Sequence, residues 1–382
     1  MKTKKLTFWE SLMLVTGAGI GTGMLTIPYA ISKIGIFGTA VSLVLAYIVS
    51  VFTYLILADL TRNSNNSSDL MGALNEHLFS GKGKKVLNIV FLVLLVVLLM
   101  EFLIVYMICA GNVITDLFGI DVRISRLIFY VLASLVVFFG IKGMGVGEKI
   151  SVLFIALAVL VLTILSIFNI KGELNLSFGN SAKVFAVYGL FMYSFSATFA
   201  VIQVCNHIEK PEFTGKAIIG GIGLNALITV VFSIAVILGS SEVTQTATIG
   251  LANGIGIPFV RILCAILVLG AMFTSFWSTG FAFADVVGNQ LKIQTKLSWL
   301  IATIPSVVAA VLIPLSLIEY VQIGAGALSI IFLIVVFPAY MHAIKNPISP
   351  LLLGKLSGKP IMLVFVGIGT IMMAVSSLIP ID

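Results

Sequence analysis

Charge is scarce in this sequence. Of its 382 residues only 10% are Asp, Glu, Lys or Arg, and 60% are apolar. A soluble domain carries about a quarter charged residues, and a soluble fold of this size needs far more polar surface. Cytosolic enzymes, disordered chains and nucleic-acid binders are therefore excluded. The formal charge of +7 forms no phosphate-binding stripe, because the basic residues are scattered over short loops. Cysteine and histidine are scarce too, with three of each. Cys109, Cys205 and Cys264 lie inside apolar runs and form neither a metal-ligand cluster nor a disulfide ladder. His77, His207 and His342 lie in loops or at the ends of apolar runs, and three scattered histidines do not read as a metal site. What the chain has is hydrophobic length, with a mean hydropathy of +1.19. It reads as an all-α polytopic membrane protein with little mass outside the bilayer.

A helical crossing needs about 20 mostly apolar residues. Eleven segments qualify: 8–33, 36–61, 86–117, 125–142, 148–169, 183–209, 213–239, 256–289, 296–315, 318–343 and 358–380. The runs are continuous, so β-barrel alternation is absent. No small-residue cleavage site follows the first run, so it does not read as a cleaved signal peptide. Lys and Arg near the ends of the spans set the orientation. With the N-terminus in the cytoplasm, sixteen of the 22 basic residues fall inside, among them Lys2, Lys4, Lys5, Lys82, Lys84 and Lys85. Eleven spans then leave the C-terminus outside. Phe8 and Trp9 would anchor the inner interface.

Spans five apart start 170 to 177 residues apart across all five pairs. Five is odd, so the second set enters from the opposite face. This is the layout of inverted-repeat secondary transporters, with repeats at 8–169 and 183–343 and an extra helix at 358–380. Such folds break the first helix of each repeat near mid-membrane. Span 1 carries Gly17, Gly19, Gly21 and Gly23, then Pro28. Glycine at every fourth position would make a close-packing face. Glycine at alternate positions points all round the helix, and each costs up to about 1 kcal/mol relative to alanine. The spacing predicts a break. Span 6 carries Gly189 and then Tyr193, Ser194, Ser196 and Thr198. Those hydroxyls suit a break, where they satisfy freed backbone groups. They equally suit an intact helix in which they bond back to the preceding turn.

The run Gly17-Ala18-Gly19-Ile20-Gly21-Thr22-Gly23-Met24, with Pro28, Tyr29 and Ala30 and then Gly35 and Gly38, resembles the opening motif of the amino acid/auxin permease family. It is similar also to the bacterial aromatic amino acid permeases. The exit of span 6, Phe199 to Val204 with Asn206, Glu209, Lys210, Pro211 and Phe213, resembles the family's second signature, and Tyr106 with Gly111 and Asn112 in span 3 is a further match. The resemblance covers essentially the whole chain. It implies the five-plus-five inverted-repeat (LeuT-like) fold of the amino acid–polyamine–organocation superfamily, with an eleventh helix, and amino-acid symport. Relatives often carry glycines in span 6 where this chain has Ser194, Ser196 and Thr198.

No lysine or arginine lies at mid-membrane to meet a substrate carboxylate. The outer half of a broken span 1 can do so through the N–H groups of Gly21, Thr22 and Gly23 at its positive dipole end. By analogy with the fold, the ammonium goes to freed carbonyls around Tyr193, Ser194 and Ser196, with Tyr106 on the substrate side. The resemblance also implies a sodium site. Ala271, Thr274 and Ser275 of span 8 match the superfamily's pattern of one carbonyl and two hydroxyls, with Thr16 and Gly19 at the span 1 carbonyl positions. Glu101, midway along span 3, is a functional candidate by its cost in a membrane and could carry a coupling proton. It points about 140° away from Tyr106, five residues on. Glu10, Asp59 and Asp285 read as gate ion pairs or solvated span ends, and Glu319 as an outer-gate residue. Asn65, Asn66 and Asn175 open glycosylation sequons, the first two on the cytoplasmic side and so unused. The 240–255 segment is long enough to fold over the outer mouth.

The sequence thus points to a plasma-membrane symporter. It would import a neutral amino acid by alternating access, coupled to sodium or alternatively to protons. No cofactor beyond the coupling ion and no obligatory protein partner is implied; the lipid bilayer and the amino acid are the partners. A non-transporting amino-acid receptor of the same fold ranks next, then a channel, for which no filter motif is present. No nucleophile–base pair within the spans supports an enzyme.

Overall fold

The computed structural model describes residues 5–65, 70–78, 84–136, 140–244, 246–312, 324 and 326–379, with the backbone alone at Thr22 and at a few helix ends. Helices account for nearly all of them. In chain order they are α1 Phe8–Gly19, α2 Thr22–Ile34, α3 Ile36–Arg62, α4 Leu70–His77, α5 Lys84–Phe118, α6 Val122–Ser134 and α7 Gly140–Phe168. Then follow α8 Ser181–Ser194, α9 Thr198–His207, α10 Thr214–Gly239, α11 Ala247–Ile255, α12 Pro258–Leu291 and α13 Thr295–Leu312. The last two are α14 Gly326–Ala343, which contains a π-helical turn over Phe332–Val336, and α15 Pro360–Ser376. Among the described residues seven helical stretches are long and apolar enough to cross a membrane, and eight when the bent pair α1–α2 is taken as one. Two further apolar helices, Lys296–Leu312 and Pro360–Ser376, are shorter. The fourth span of the sequence reading is represented by the 13 residues of α6, which stop short of the undescribed residues 137–139.

Local chemistry sets the helix ends. Thr7 and Glu10 form a reciprocal capping box that starts α1. The Asp121 carboxylate accepts from the N–H groups of Arg123 and Ile124 at the start of α6, and the Asn180 side chain accepts from Ala182 N–H at the start of α8. α12 opens with Pro258, whose missing N–H costs nothing there, and closes on Lys292 at φ 56°. The outward faces are apolar. Val93 and Val97 of α5, Leu157 and Leu160 of α7, Ile304 and Val308 of α13, and Val364 and Ile368 of α15 are all exposed. A belt of this kind is stable only against lipid or another apolar surface.

The chain ends are tied to the bundle on the face that carries the N-terminus. Leu6 is fully buried and forms an isolated parallel bridge with Ile208. Its N–H donates to the His207 carbonyl at 2.7 Å, and Glu209 N–H donates back to the Leu6 carbonyl at 2.8 Å. Asp59 departs from the expectation of a gate pair or solvated end, and Glu10 is buried. Glu10 serves the α1 capping box. Asp59 is 0% exposed and accepts from Leu352 N–H at 2.7 Å and Leu353 N–H at 3.4 Å. With Asn63, which accepts from Ser349 N–H at 2.7 Å, it clamps the segment between α14 and α15 onto the end of α3. Glu319 lies outside the described residues. The 240–255 segment contains α11, which packs on α2, α10 and α12.

α4 docks through His77. Its Nε2 lies 2.9 Å from Ser64 Oγ, and its Nδ1 lies 3.3 Å from Nδ1 of His342. Burial holds the His77 imidazole below the usual histidine range, against the opposing pull of Glu76.

Two outcomes follow from these contacts. Asp59→Ala leaves two N–H groups without their acceptor and should cost about 1–3 kcal/mol, read as a lower unfolding temperature in detergent. Lys355→Ala, at an exposed position of the same segment, should stay within about 0.5 kcal/mol. For His77, a lowered pKa means the folded chain binds fewer protons than the unfolded one. The stabilisation is therefore full above the ordinary histidine pKa and lost as pH falls below it. Proteolysis around α4 should speed up between about pH 7.5 and 5.5, and His77→Gln should remove that pH dependence.

Candidate substrate and cation site

The first break lies where the alternating glycines fall. α1 ends at Gly19, α2 starts at Thr22, and the two axes are bent by 55°. Each missing Cβ leaves room for a different neighbour. A Cβ on Gly17 would lie 2.2 Å from Glu148 Oε2, and one on Gly19 would lie 2.3 Å from Asn225 Nδ2 and 2.9 Å from the Ser194 carbonyl oxygen. A Cβ on Gly21 would meet Ser275 Oγ at 3.2 Å and the Tyr106 ring at 3.5 Å, and one on Gly23 the Ser194 Cα at 2.8 Å. The second break is also present. α8 ends at Ser194 and α9 begins at Thr198, leaving residues 195–197 outside either helix. Span 6 is interrupted, although Ser194 Oγ and Thr198 Oγ1 bond no freed backbone group among the described residues. The interruption is local, since Ser181–His207 still runs as one crossing of 27 residues.

The two breaks face one cavity of about 20 Å³. That is room for about one water. Gly19, Gly21 and Gly23 line it from the first break, and Tyr193, Ser196, Ala197 and Thr198 from the second. Phe102 and Tyr106 of α5 and Ser278 and Thr279 of α12 close the sides. Neither Gly21 before α2 nor Ala197 before α9 gives a side-chain cap. Two helix N-termini therefore present N–H groups and positive dipole ends to the cavity, while α1 and α8 end there with their carbonyls. The arrangement sets donors and acceptors of opposite polarity around one point without a charged side chain.

Of the residues expected to touch substrate, Gly21, Gly23, Tyr106, Tyr193 and Ser196 line this cavity. Ser194 does not. Its carbonyl accepts from Asn225 Nδ2 at 2.8 Å, and its backbone packs on Gly23. The backbone of Thr22 starts α2, and its side chain lies outside the described atoms. Phe102, Ser278, Thr279 and Asn225 were not anticipated. Serine and threonine are ordinary in membrane helices, and only α12's turn beyond Thr274 would have pointed to Ser278 and Thr279.

Beside the cavity, five buried oxygens converge. Thr274 Oγ1 donates to the carbonyls of Ala271 at 2.8 Å and Gly17 at 3.2 Å. Ser275 Oγ lies 3.3 Å from the Ile20 carbonyl oxygen and 3.4 Å from that of Gly17. Thr274 and Ser275 are 0% exposed. The α1 carbonyls at this cluster are those of Gly17 and Ile20, not of Thr16 and Gly19 as the sequence suggested. Thr16 and Gly19 carbonyls are engaged inside the chain, accepting from Ile20 N–H and Gly21 N–H. Carbonyls one residue away point about 100° around the helix. Because Gly21 N–H turns to Gly19, the Gly17 carbonyl loses its usual helical donor and faces α12. Hard, uncharged oxygens of this kind suit a monovalent cation.

Glu101 lines neither, though it acts on Tyr106 in the cavity wall. It is buried, and neither carboxyl oxygen has a hydrogen-bond partner among the described residues. It lies against Gly324 rather than the cavity.

Two broken helices around one cavity, inside an all-helical apolar bundle, are the layout of an inverted-repeat secondary transporter. The fold is that of the LeuT-type five-plus-five transporters. The structure of MhsT in complex with L-phenylalanine aligns with a TM-score of 0.73 at 14% identity, covering 98% of this chain and 99% of that one. The structure of Mhp1, a nucleobase-cation-symport-1 family transporter in a closed conformation with bromovinylhydantoin bound, aligns with a TM-score of 0.68 at 12% identity, covering 99% and 94%. In sequence, residues 4–377 match the tryptophan/tyrosine permease family, and the chain belongs to it. No curated protein matches the chain in sequence.

The glycine geometry gives a paired test. Gly23→Ala drives a Cβ into the Ser194 backbone and should destabilise the chain by about 1–3 kcal/mol. Gly367→Ala, in α15, meets nothing within 4 Å and should stabilise by up to about 1 kcal/mol. Unfolding temperatures measured side by side decide it. Equal shifts would mean the 17–23 run is not sterically confined.

Proposed function

We propose that this chain is a sodium-coupled symporter importing a neutral, aromatic amino acid across the cell membrane, with its N-terminus in the cytoplasm. The carrying observation is the pair of helix breaks on one cavity, neither capped by its own N-cap side chain, with the five-oxygen cluster beside it. The substrate carboxylate would take the N–H groups at the start of α2, and the ammonium the carbonyl ends of α1 and α8. Aromatic selectivity is supported by the family and by the rings around the cavity, Phe102, Tyr106, Tyr193 and Phe199. Sodium would bind to the carbonyls of Gly17, Ile20 and Ala271 and the hydroxyls of Thr274 and Ser275. It would hold α1 against α12 until its release frees α1 to move. The repeats at 8–169 and 183–343 would rock their first two helices against the rest.

Proton coupling is the second reading, favoured by the unpartnered burial of Glu101. Uptake in proteoliposomes separates the two. Tryptophan, tyrosine, phenylalanine and small neutral amino acids would be offered under a sodium gradient, and again under a proton gradient without sodium. Accumulation should need sodium and favour the aromatic set. Thr274→Val should abolish the sodium response while the chain remains folded. Accumulation under the proton gradient alone would replace sodium with Glu101 as the coupling group. Binding without accumulation would favour a receptor.

A further inference from the structure

The five-oxygen cluster has a charged neighbour that its own donors do not include. Glu148, near the start of α7, is 0% exposed. Neither of its carboxyl oxygens has a hydrogen-bond partner among the described residues, and no basic side chain there bonds it. Lys149, next in sequence, is exposed. A buried carboxylate is stable only when a cation or a set of donors compensates it.

Its placement is specific. Oε2 fills the space where Gly17 lacks a side chain, 2.2 Å from the position a Cβ would take, with Val152 at 3.1 Å on the same side. Gly17 is also the residue whose carbonyl takes the hydroxyls of both Thr274 and Ser275. One residue of α1 thus separates the carboxyl from the oxygen cluster, and α1 packs on both α7 and α12. The cluster itself is made of neutral oxygens. Glu148 packs directly against Gly17, whereas Glu101 acts on the cluster through Tyr106, which bonds Ser275.

We infer that Glu148 supplies the fixed negative charge of the cation site, acting across Gly17 rather than as a direct ligand. The inference rests on the sodium-symport reading and adds to it the group that sets ion affinity. It also explains why the position beside the carboxyl is a glycine. Any side chain at residue 17 would push the charge away from the ion or displace the carbonyl that binds it.

The test uses the purified full-length chain in detergent. Sodium chloride replaces choline chloride at constant ionic strength, and thermal stabilisation is followed. Wild type should be stabilised saturably. Glu148→Gln keeps the shape and removes the charge, and should raise the half-saturating sodium concentration on the order of tenfold to a hundredfold. Glu148→Asp keeps the charge but draws it back by one methylene, and should raise it about threefold. Half-saturation unchanged within twofold in Glu148→Gln overturns the inference and makes Glu148 a neutral packing group. If Glu148→Gln does not fold, Glu148→Asp decides by the same criterion. A wild-type chain with no sodium response overturns the sodium reading itself, and this inference with it.

Discussion

Alternate glycines in α1 and α2 replace side chains with neighbours, and the rest of the site depends on that substitution. Between residues 17 and 23 the chain approaches α7, α10, α5, α12 and α8 in turn. It meets the Glu148 carboxyl, the Asn225 amide, Tyr106 with Ser275, and the Ser194 backbone. A packing motif with glycine on one face opens one side of a helix to such approaches. The alternate spacing opens two opposite faces, 17 with 21 and 19 with 23. The break therefore combines weak helix propensity with close contact on both faces.

Once α1 stops, its last carbonyls need partners. Gly21 N–H turns back to Gly19, and the Gly17 and Ile20 carbonyls are left facing α12. Thr274 and Ser275 answer them. An ion at the same oxygens would replace two modest hydrogen bonds with direct charge–dipole contacts. That gives the cation a differential affinity for the arrangement in which α1 and α12 are together, the only way a ligand can shift a conformational equilibrium.

The membrane class and the first break were legible because they depend on periodicity, which a single sequence carries. The glycines at 17, 19, 21 and 23 announce the interruption without any knowledge of neighbours. The second break was not legible, because Ser194, Ser196 and Thr198 serve equally in an intact helix. The one-residue difference between Thr16 and Gly19 and the observed Gly17 and Ile20 has the same origin. Which carbonyl faces α12 depends on how α1 is rotated at its end, a property of packing. Glu148 escaped notice because it sits at the start of an apolar run beside Lys149, where a charge looks like a solvated helix end. Asp59 was misread in the same way. At both positions the decisive fact is what folds over the helix end, and that comes from segments distant in sequence.

The two breaks differ in a way that bears on transport. The first bends the chain by 55°, whereas the second interrupts a crossing that otherwise continues. Asn225 bridges them, donating to the Ser194 carbonyl while occupying the space beside Gly19. A shift of α1 is therefore felt at the end of α8 through one amide. On the face that carries the N-terminus, the Leu6 bridge to His207 and Glu209 ties the start of α1 to the end of α9. The cavity between the breaks, about 20 Å³, is far smaller than an amino acid. Substrate can enter only if the two broken helices separate. The opposite end is tied as well, by Ile36 N–H to the Asn175 carbonyl at 2.8 Å and by Ser177 Oγ to the Ile34 carbonyl at 3.0 Å, and α2 packs along α8 there. The bonding pattern thus closes the pair on the cavity from both ends, and separation at either face breaks hydrogen bonds to the backbone, Leu6 with His207 and Glu209 at one and Ile34 and Ile36 with Ser177 and Asn175 at the other.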